Sequence, residues 1–302
     1  MSGKVIISLD TTQYKSPTQK DVDDAKAYVR RRNDSTILIE SLILEKLRDA
    51  AKEITSICYK YNIEPENFVL NANENMYSQI TAVMDRIDEE IMEMIEEYSS
   101  MAAESAEDKQ EIIAYIHGLG RQNRNLQDTL DDYLWRYLYD LEALVASMKL
   151  AGVESGKAQT KIAAALLSVY TTPEVVRAMK APGMKAVYLV SKGVHYDIGT
   201  QHPSVGLSNN GAKNVINMAK ITVAMAWMRT QAIKFLEEGA VGYYQLRGSL
   251  YPCDSCDREV GFHLGLEGIM EKPLVHPHCC CYRVPIYAIE EAEQLTEELA
   301  NY

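Results

Sequence analysis

The sequence predicts a mainly α-helical protein: a helical N-terminal region followed by a small α+β C-terminal module with a cysteine/histidine knuckle of metal-site type. Three observations carry this. Apolar residues recur at three- and four-residue spacing over long stretches of the first half. Between 181 and 210 the texture changes, as Pro182, Gly183, Gly193, Gly199, Pro203 and Gly206 interrupt the helical period. Five of the 6 cysteines then fall between positions 253 and 281. The expected division is a helical domain over 1–180, an irregular connector over 181–207 and a C-terminal module over 208–302.

Residues 4–9 alternate weakly and predict an edge strand or arm. Ser16-Pro17-Thr18 opens a helix, with Thr18 as N-cap and Asp21 three residues on. From Ser35 to Tyr61 the stripe is Leu38, Leu42, Ile43, Leu47, Ile54 and Ile57. The next segment carries Met76, Ile80, Val83, Met84, Ile87, Ile91, Met94, Ile95 and Tyr98. A third runs through Leu126, Leu130, Tyr133, Leu134, Tyr137, Leu138, Leu141, Leu144, Val145 and Met148, with Gly152 as its terminator. Such stripes are expected to bury against one another in a bundle rather than to serve as partner-binding faces. Shorter helices are expected from Ser155 to about Tyr170 and after the Thr172-Pro173 cap. A strand is expected at 186–190, and a long helix from about Ser208 to Glu238, closed by Gly239. Strands at Val241–Leu246 and Tyr282–Tyr287 flank the cysteine region, and an acidic amphipathic segment covers Glu290 to Leu299. The 19 tyrosines against 3 phenylalanines hint at semi-polar interfaces, since Tyr couples an apolar ring to a hydroxyl.

A hydrophobic fraction of 47% and a charged fraction of 25% are those of an ordinary globular chain. No apolar run is long enough for a membrane span, and the N-terminal apolar run is too short for a signal peptide, so synthesis in the cytoplasm with reduced thiols is expected. The net charge of −12 weighs against gripping duplex DNA through the overall field. Arg30-Arg31-Arg32 is read as a solvated helix end whose cations suit the helix dipole. Cys58, on a helical stripe, is read as a small buried hydrophobe.

A tetrahedral metal site needs four soft or borderline ligands converging from two short turns. Cys253-Asp254-Ser255-Cys256 supplies one turn, because a two-residue gap lets both sulfurs face one centre. His276-Pro277-His278-Cys279-Cys280-Cys281 supplies the other, with Pro252 and Pro277 stiffening the approaches. A disulfide between the turns and unligated thiols are the competing readings. Cys279 with Cys281 and His276 with Cys281 are equally acceptable second pairs, so the candidate ligands are Cys253, Cys256, His276, Cys279 and Cys281. A zinc deaminase would pair P-C-x-x-C with H-x-E. No histidine here is followed two residues later by Glu, and H-E-x-x-H and G-x-S-x-G are also absent. The remaining histidines, His117 before Gly118 and His195 and His202 in the irregular stretch, are assigned no function.

A long helix, a short strand, Cys253-x-x-Cys256, a loop bearing Gly261, Gly265 and Gly268, then His276-Pro277-x-Cys279-x-Cys281 and the strand Tyr282-Arg283-Val284-Pro285-Ile286 resembles the phage Mu F-like head morphogenesis (minor head protein) family. The resemblance covers about residues 150–288; the N-terminal half resembles no family. In that family an acidic residue often precedes the first cysteine, where this chain has Leu250-Tyr251-Pro252. The position of Cys280 is commonly Arg. The resemblance implies a non-enzymatic minor capsid protein of the virion, present in the host cytoplasm during assembly. Its implied partners are portal or capsid proteins, with no membrane, and contact with packaged DNA and self-association stay open. Residues 289–302 are too few for the toxin domains some relatives append. The knuckle is then expected to hold a structural Zn2+. The competing expectations are a zinc-ribbon-type nucleic-acid or regulatory protein, relying on Arg247, Arg258, Lys272 and Arg283, and a metal-dependent enzyme, with Asp257 and Glu259 as the nearby titratable groups.

Overall fold

The computed structural model describes residues 12–120, 124–167, 211–276 and 279–289. The expected strands at 4–9 and 186–190, the Thr172 cap, the connector, His195, His202, Pro277, His278 and the acidic segment after Glu290 lie outside them. The described residues form eight α-helices and one small sheet.

Helix α1 (Gln19–Lys60) is a single unbroken rod, about 63 Å long at 1.5 Å per residue. Thr18 and Asp21 form a reciprocal capping box at its start, as expected. Two separately expected helical stretches are therefore one helix, because nothing between Asp21 and Ser35 breaks the backbone pattern. Four of the six expected stripe residues, Ile43, Leu47, Ile54 and Ile57, are buried, and the stripe departs from expectation at Leu38. Leu38 is 49% exposed, whereas Ile39, Ile43, Leu47, Ala50, Ala51 and Ile54 are buried. The buried alanines let neighbouring helices approach, a signal that large apolar residues alone do not carry.

After two 3-10 turns (Pro65–Asn67 and Leu70–Ala72) come α2 (Glu74–Ser100), α3 (Ala106–His117), α4 (Leu126–Leu150), α5 (Ser155–Leu167) and α6 (Gly211–Glu237). Every member of the expected α4 stripe is buried, and Gly152 leaves the helix at φ +65°. α1 packs on α2, α5 and α6, and α4 packs on α5 and α6. Their buried faces form one core in which Cys58 is fully enclosed, as the sequence implied. Tyrosine hydroxyls tie this core internally: Tyr137 donates to the Leu47 carbonyl, Tyr59 to Val153 at 3.1 Å and Tyr28 to Trp227.

The chain then forms β1 (Gly242–Leu246), α7 (Asp254–Glu259), β2 (Gly261–Leu264), α8 (Glu267–Glu271) and β3 (Tyr282–Ile286). The antiparallel sheet has the order β2-β1-β3, with Tyr244 opposite both Phe262 and Val284. The expected glycine-bearing loop thus contains an edge strand, entered through Gly261 at φ +139° and left through Gly265 at φ +81°. Beyond β3 the backbone around Tyr14 pairs with Ala288, with Lys15 N–H donating to the Tyr287 carbonyl at 3.0 Å and Ile289 N–H to Gln13 at 3.2 Å.

Two helices join bundle and module. The first part of α1 (Val22, Ala25, Val29) and one face of α6 (Ile221, Ala224, Met225, Met228) share a second core with Cys256, Leu274, Cys279, Cys281, Tyr282 and Val284. Other α6 residues, among them Val215, Ala219, Val223 and Trp227, belong to the bundle core. Arg30-Arg31-Arg32 does not cap a helix end. It lies within α1, and only Arg30 and Arg31 face solvent, while Arg32 is 1% exposed. Helical geometry places residue 32 on the face of Ala25 and Val29, which is the face the module covers.

Gly211 brings α6 against α4: a Cβ there would meet the Tyr137 backbone nitrogen at 2.4 Å. Gly211→Ala is expected to lower unfolding free energy by about 1–3 kcal/mol, as overpacking does, read from urea denaturation. Burial, with Asp131 and Asp85 nearby, lifts the Asp88 carboxyl from 3.8 to about 6, and burial lifts Asp140 to about 6. The folded chain binds these protons more tightly than the unfolded chain, so these groups add stability as pH falls from about 7 to about 4. Asp88→Asn should flatten that rise in thermal-unfolding profiles; an equally steep profile would refute the assignment.

Candidate metal centre

Cys253 is the N-cap residue of the short α7, and Cys256 sits on its first turn. The nearby Cys256 N–H and thiol, with the Ser255 N–H, draw the Cys253 thiol below its usual range. Arg247 fixes the loop leading into this turn, donating to the Cys253 carbonyl at 3.4 Å, to Ser249 at 3.3 Å, and to Tyr251 and the Asp257 carboxylate. The second turn approaches from α8, with Cys279 N–H donating to the His276 carbonyl at 3.1 Å, and continues through Cys281 into β3.

The two turns meet. Cys253, Cys256 and His276 form one triad and Cys256, Cys279 and Cys281 a second, the donor atoms of each lying within 4.8 Å of one another. Nε2 of His276 is 3.0 Å from Cys256 Sγ and 3.3 Å from Cys253 Sγ, and Cys256 Sγ is 3.8 Å from Cys279 Sγ. All five sequence candidates are therefore brought together, with Cys256 common to both triads. Cys256, Cys279 and Cys281 are buried, while Cys253 and His276 are half-buried. None of the six cysteines forms a disulfide. Cys280 lies between two cluster members and belongs to neither triad.

The thiols are electrostatically differentiated. Hydrogen bonding from Cys281 draws Cys279 down to about 5, while the same contact holds Cys281 well above the usual thiol range. Burial, with the neighbouring Cys279 charge, pushes Cys256 up to about 12. The Cys281 N–H also points at Cys279 Sγ, at 3.5 Å. Cys279 is thus set up to ionise readily, with Cys281 hydrogen-bonded to it.

This donor set fits a metal ion. A tetrahedral ion with metal–sulfur bonds of ~2.3 Å separates its sulfurs by ~3.8 Å, as Cys256 and Cys279 are separated here. Soft thiolates and an imidazole select a borderline or soft cation over calcium or magnesium.

Three contributors were not assigned from the sequence. Arg32 donates from Nη2 to the Cys279 carbonyl at 2.7 Å. Arg283 is 3% exposed inside the sheet, donating to Gln245 at 3.0 Å and the Pro273 carbonyl at 2.6 Å. At Gly248 a Cβ would lie 1.7 Å from the Cys280 carbonyl oxygen. Only the last had a recognisable signal, a glycine two residues past a strand. A cleft of about 640 Å³, with Tyr28, Trp227 and Arg283 among its walls, is lined by neither histidine nor cysteine.

Comparison with known protein families, curated proteins and solved structures finds no match to this chain. Among the described residues, no helix is long and apolar enough to cross a membrane.

Gly248→Ala forces backbone against backbone and should strain the knuckle by about 1–3 kcal/mol. The buried cluster thiols are then expected to react with a thiol reagent about tenfold faster or more, while helical circular dichroism stays near wild type. Unchanged thiol reactivity would contradict the packing described.

Proposed function

We propose that the chain is a non-enzymatic minor head protein of a tailed phage or prophage, acting at the portal or inner capsid in head assembly or DNA packaging and ejection. In this reading its C-terminal module is held together by a structural Zn2+. What carries it is the convergence of the two motif halves. The C-x-x-C and H-P-x-C-x-C elements that resemble the Mu F-like family meet at Cys256, framed by a long helix and strand before and a strand after. Cys253, Cys256 and His276 would supply three ligands and Cys279 the fourth, with Cys281 hydrogen-bonding the last sulfur.

A structural role suits the surroundings. Residues 242–286 form a three-stranded sheet and two helices of six and five residues, little core for independent stability, and ligation contributes directly to folding in such modules. The nucleic-acid alternative has less support, because Arg283 is buried and Arg247 is spent on its own loop. For the enzyme alternative, Asp257 is paired with Arg247.

Purified under reducing conditions, the protein should carry about one zinc per chain by elemental analysis. Cys256→Ser should abolish that zinc and make the C-terminal module protease-sensitive while the helical bundle resists. In infected or induced cells the chain should sediment with portal or capsid. Finding it only as a free monomer would sink the minor-head reading, and metal-free wild-type protein would sink the zinc reading.

A further inference from the structure

Arg32 and Arg283 pose an electrostatic problem. Both guanidinium groups are almost wholly enclosed, at 1% and 3% exposure. The neutral partners of Arg32 are Asn33, at 3.2 and 3.0 Å, and the Cys279 carbonyl. Arg283 has Gln245, the Pro273 carbonyl and the face of Tyr243, at 5.5 Å. In each, Nη1 is buried without a hydrogen-bond partner. Among the described residues, neither makes an ion pair with a carboxylate. A buried, unpaired cation costs several kcal/mol, and two that repel each other cost more. Both cations face Cys279 and Cys281; Arg32 also faces Cys280 and Tyr28, and Arg283 faces Tyr243 and Arg32.

We infer that Arg32 and Arg283 are the counter-cations of a metal–thiolate centre, so that metal loading locks the first part of α1 onto the C-terminal module. The inference rests on the zinc reading above. A divalent ion with three thiolates and a neutral imidazole carries a formal charge of minus one, and minus two with a fourth thiolate. Metal binding requires deprotonated ligands and so completes that negative charge. Arg283 comes from the module itself, two residues past Cys281. Arg32 comes from the bundle, and its bond to the Cys279 carbonyl makes α1 part of the support of one ligand. Arg32 is therefore a positioning residue, coupling the centre to an element far away in sequence.

The test uses the full chain, reduced, with zinc alone as probe, in competition with a chromogenic chelator at pH 7.5. Removing an outer-shell partner typically lowers metal affinity about 10- to 100-fold, and Arg32→Met is expected to do so. Arg32→Lys, which restores the charge without the fork, should recover part of the loss. Arg258→Met, at an exposed arginine on α7, should bind as wild type does. Should Arg32→Met fail to fold, hydrogen exchange on the wild type decides: removing zinc should speed exchange in Val22–Arg32 more than in Ile39–Cys58. Wild-type affinity in Arg32→Met, or equal exchange in both halves of α1, overturns this inference alone. A wild type that binds no zinc overturns it together with the zinc reading.

Discussion

Helix α1 is buried against two different cores, and this shared rod is the constraint around which the rest of the molecule is arranged. Beyond Ile39 its apolar stripe packs into the bundle; before Arg32 it packs against the sheet and the cysteine cluster. A helix this long gains little from intrinsic propensity, so its stability comes from the faces it buries. Disturbing either core therefore weakens a common element. α6 repeats the arrangement from the other side, giving the bundle Val215, Ala219 and Val223 and the module Ile221, Met225 and Met228. With two helices spanning the junction, the module is docked rather than tethered.

The chemistry at the junction follows from that docking. A small sheet has too little apolar area to fix the approach of two loops, and the hydrogen bonds of Arg247 and Arg32 hold carbonyls of Cys253 and Cys279 in place instead. The helical bundle thus serves as an outer support for a cluster whose candidate ligands all lie elsewhere in sequence. Leu250, Tyr251 and Leu264 of the module are exposed large apolar side chains. On the inward side polar groups are few and directed.

Much of this was legible in the residues. The α4 stripe, the Thr18 cap, Gly152, the burial of Cys58 and the five cluster donors all follow from spacing and residue type, because each is determined by local geometry. What escaped was set by distant packing. Leu38 and Ile39 are equally apolar, and only the position of neighbouring helices decides which is buried. Arg32 sits in a run of three arginines that looks like solvated surface. Its burial depends on a carbonyl supplied by Cys279, and no local pattern announces that. Strand β2 was hidden because Gly-Phe-His-Leu is short and bounded by glycines, so its assignment needs the pairing with β1.

The bridge between Tyr14 and Ala288, just beyond β3, joins segments far apart in the sequence. Such contacts carry the largest loop-closure entropy and tend to form late. During synthesis the first part of α1 leaves the ribosome long before the strand and knuckle that cover Val22, Val29 and Arg32. Until β3 arrives, that face has only the cover α6 gives it, and the helix start keeps part of its apolar surface exposed. Completion of that core thus waits for β3, and apolar surface left open in the interval is prone to aggregation.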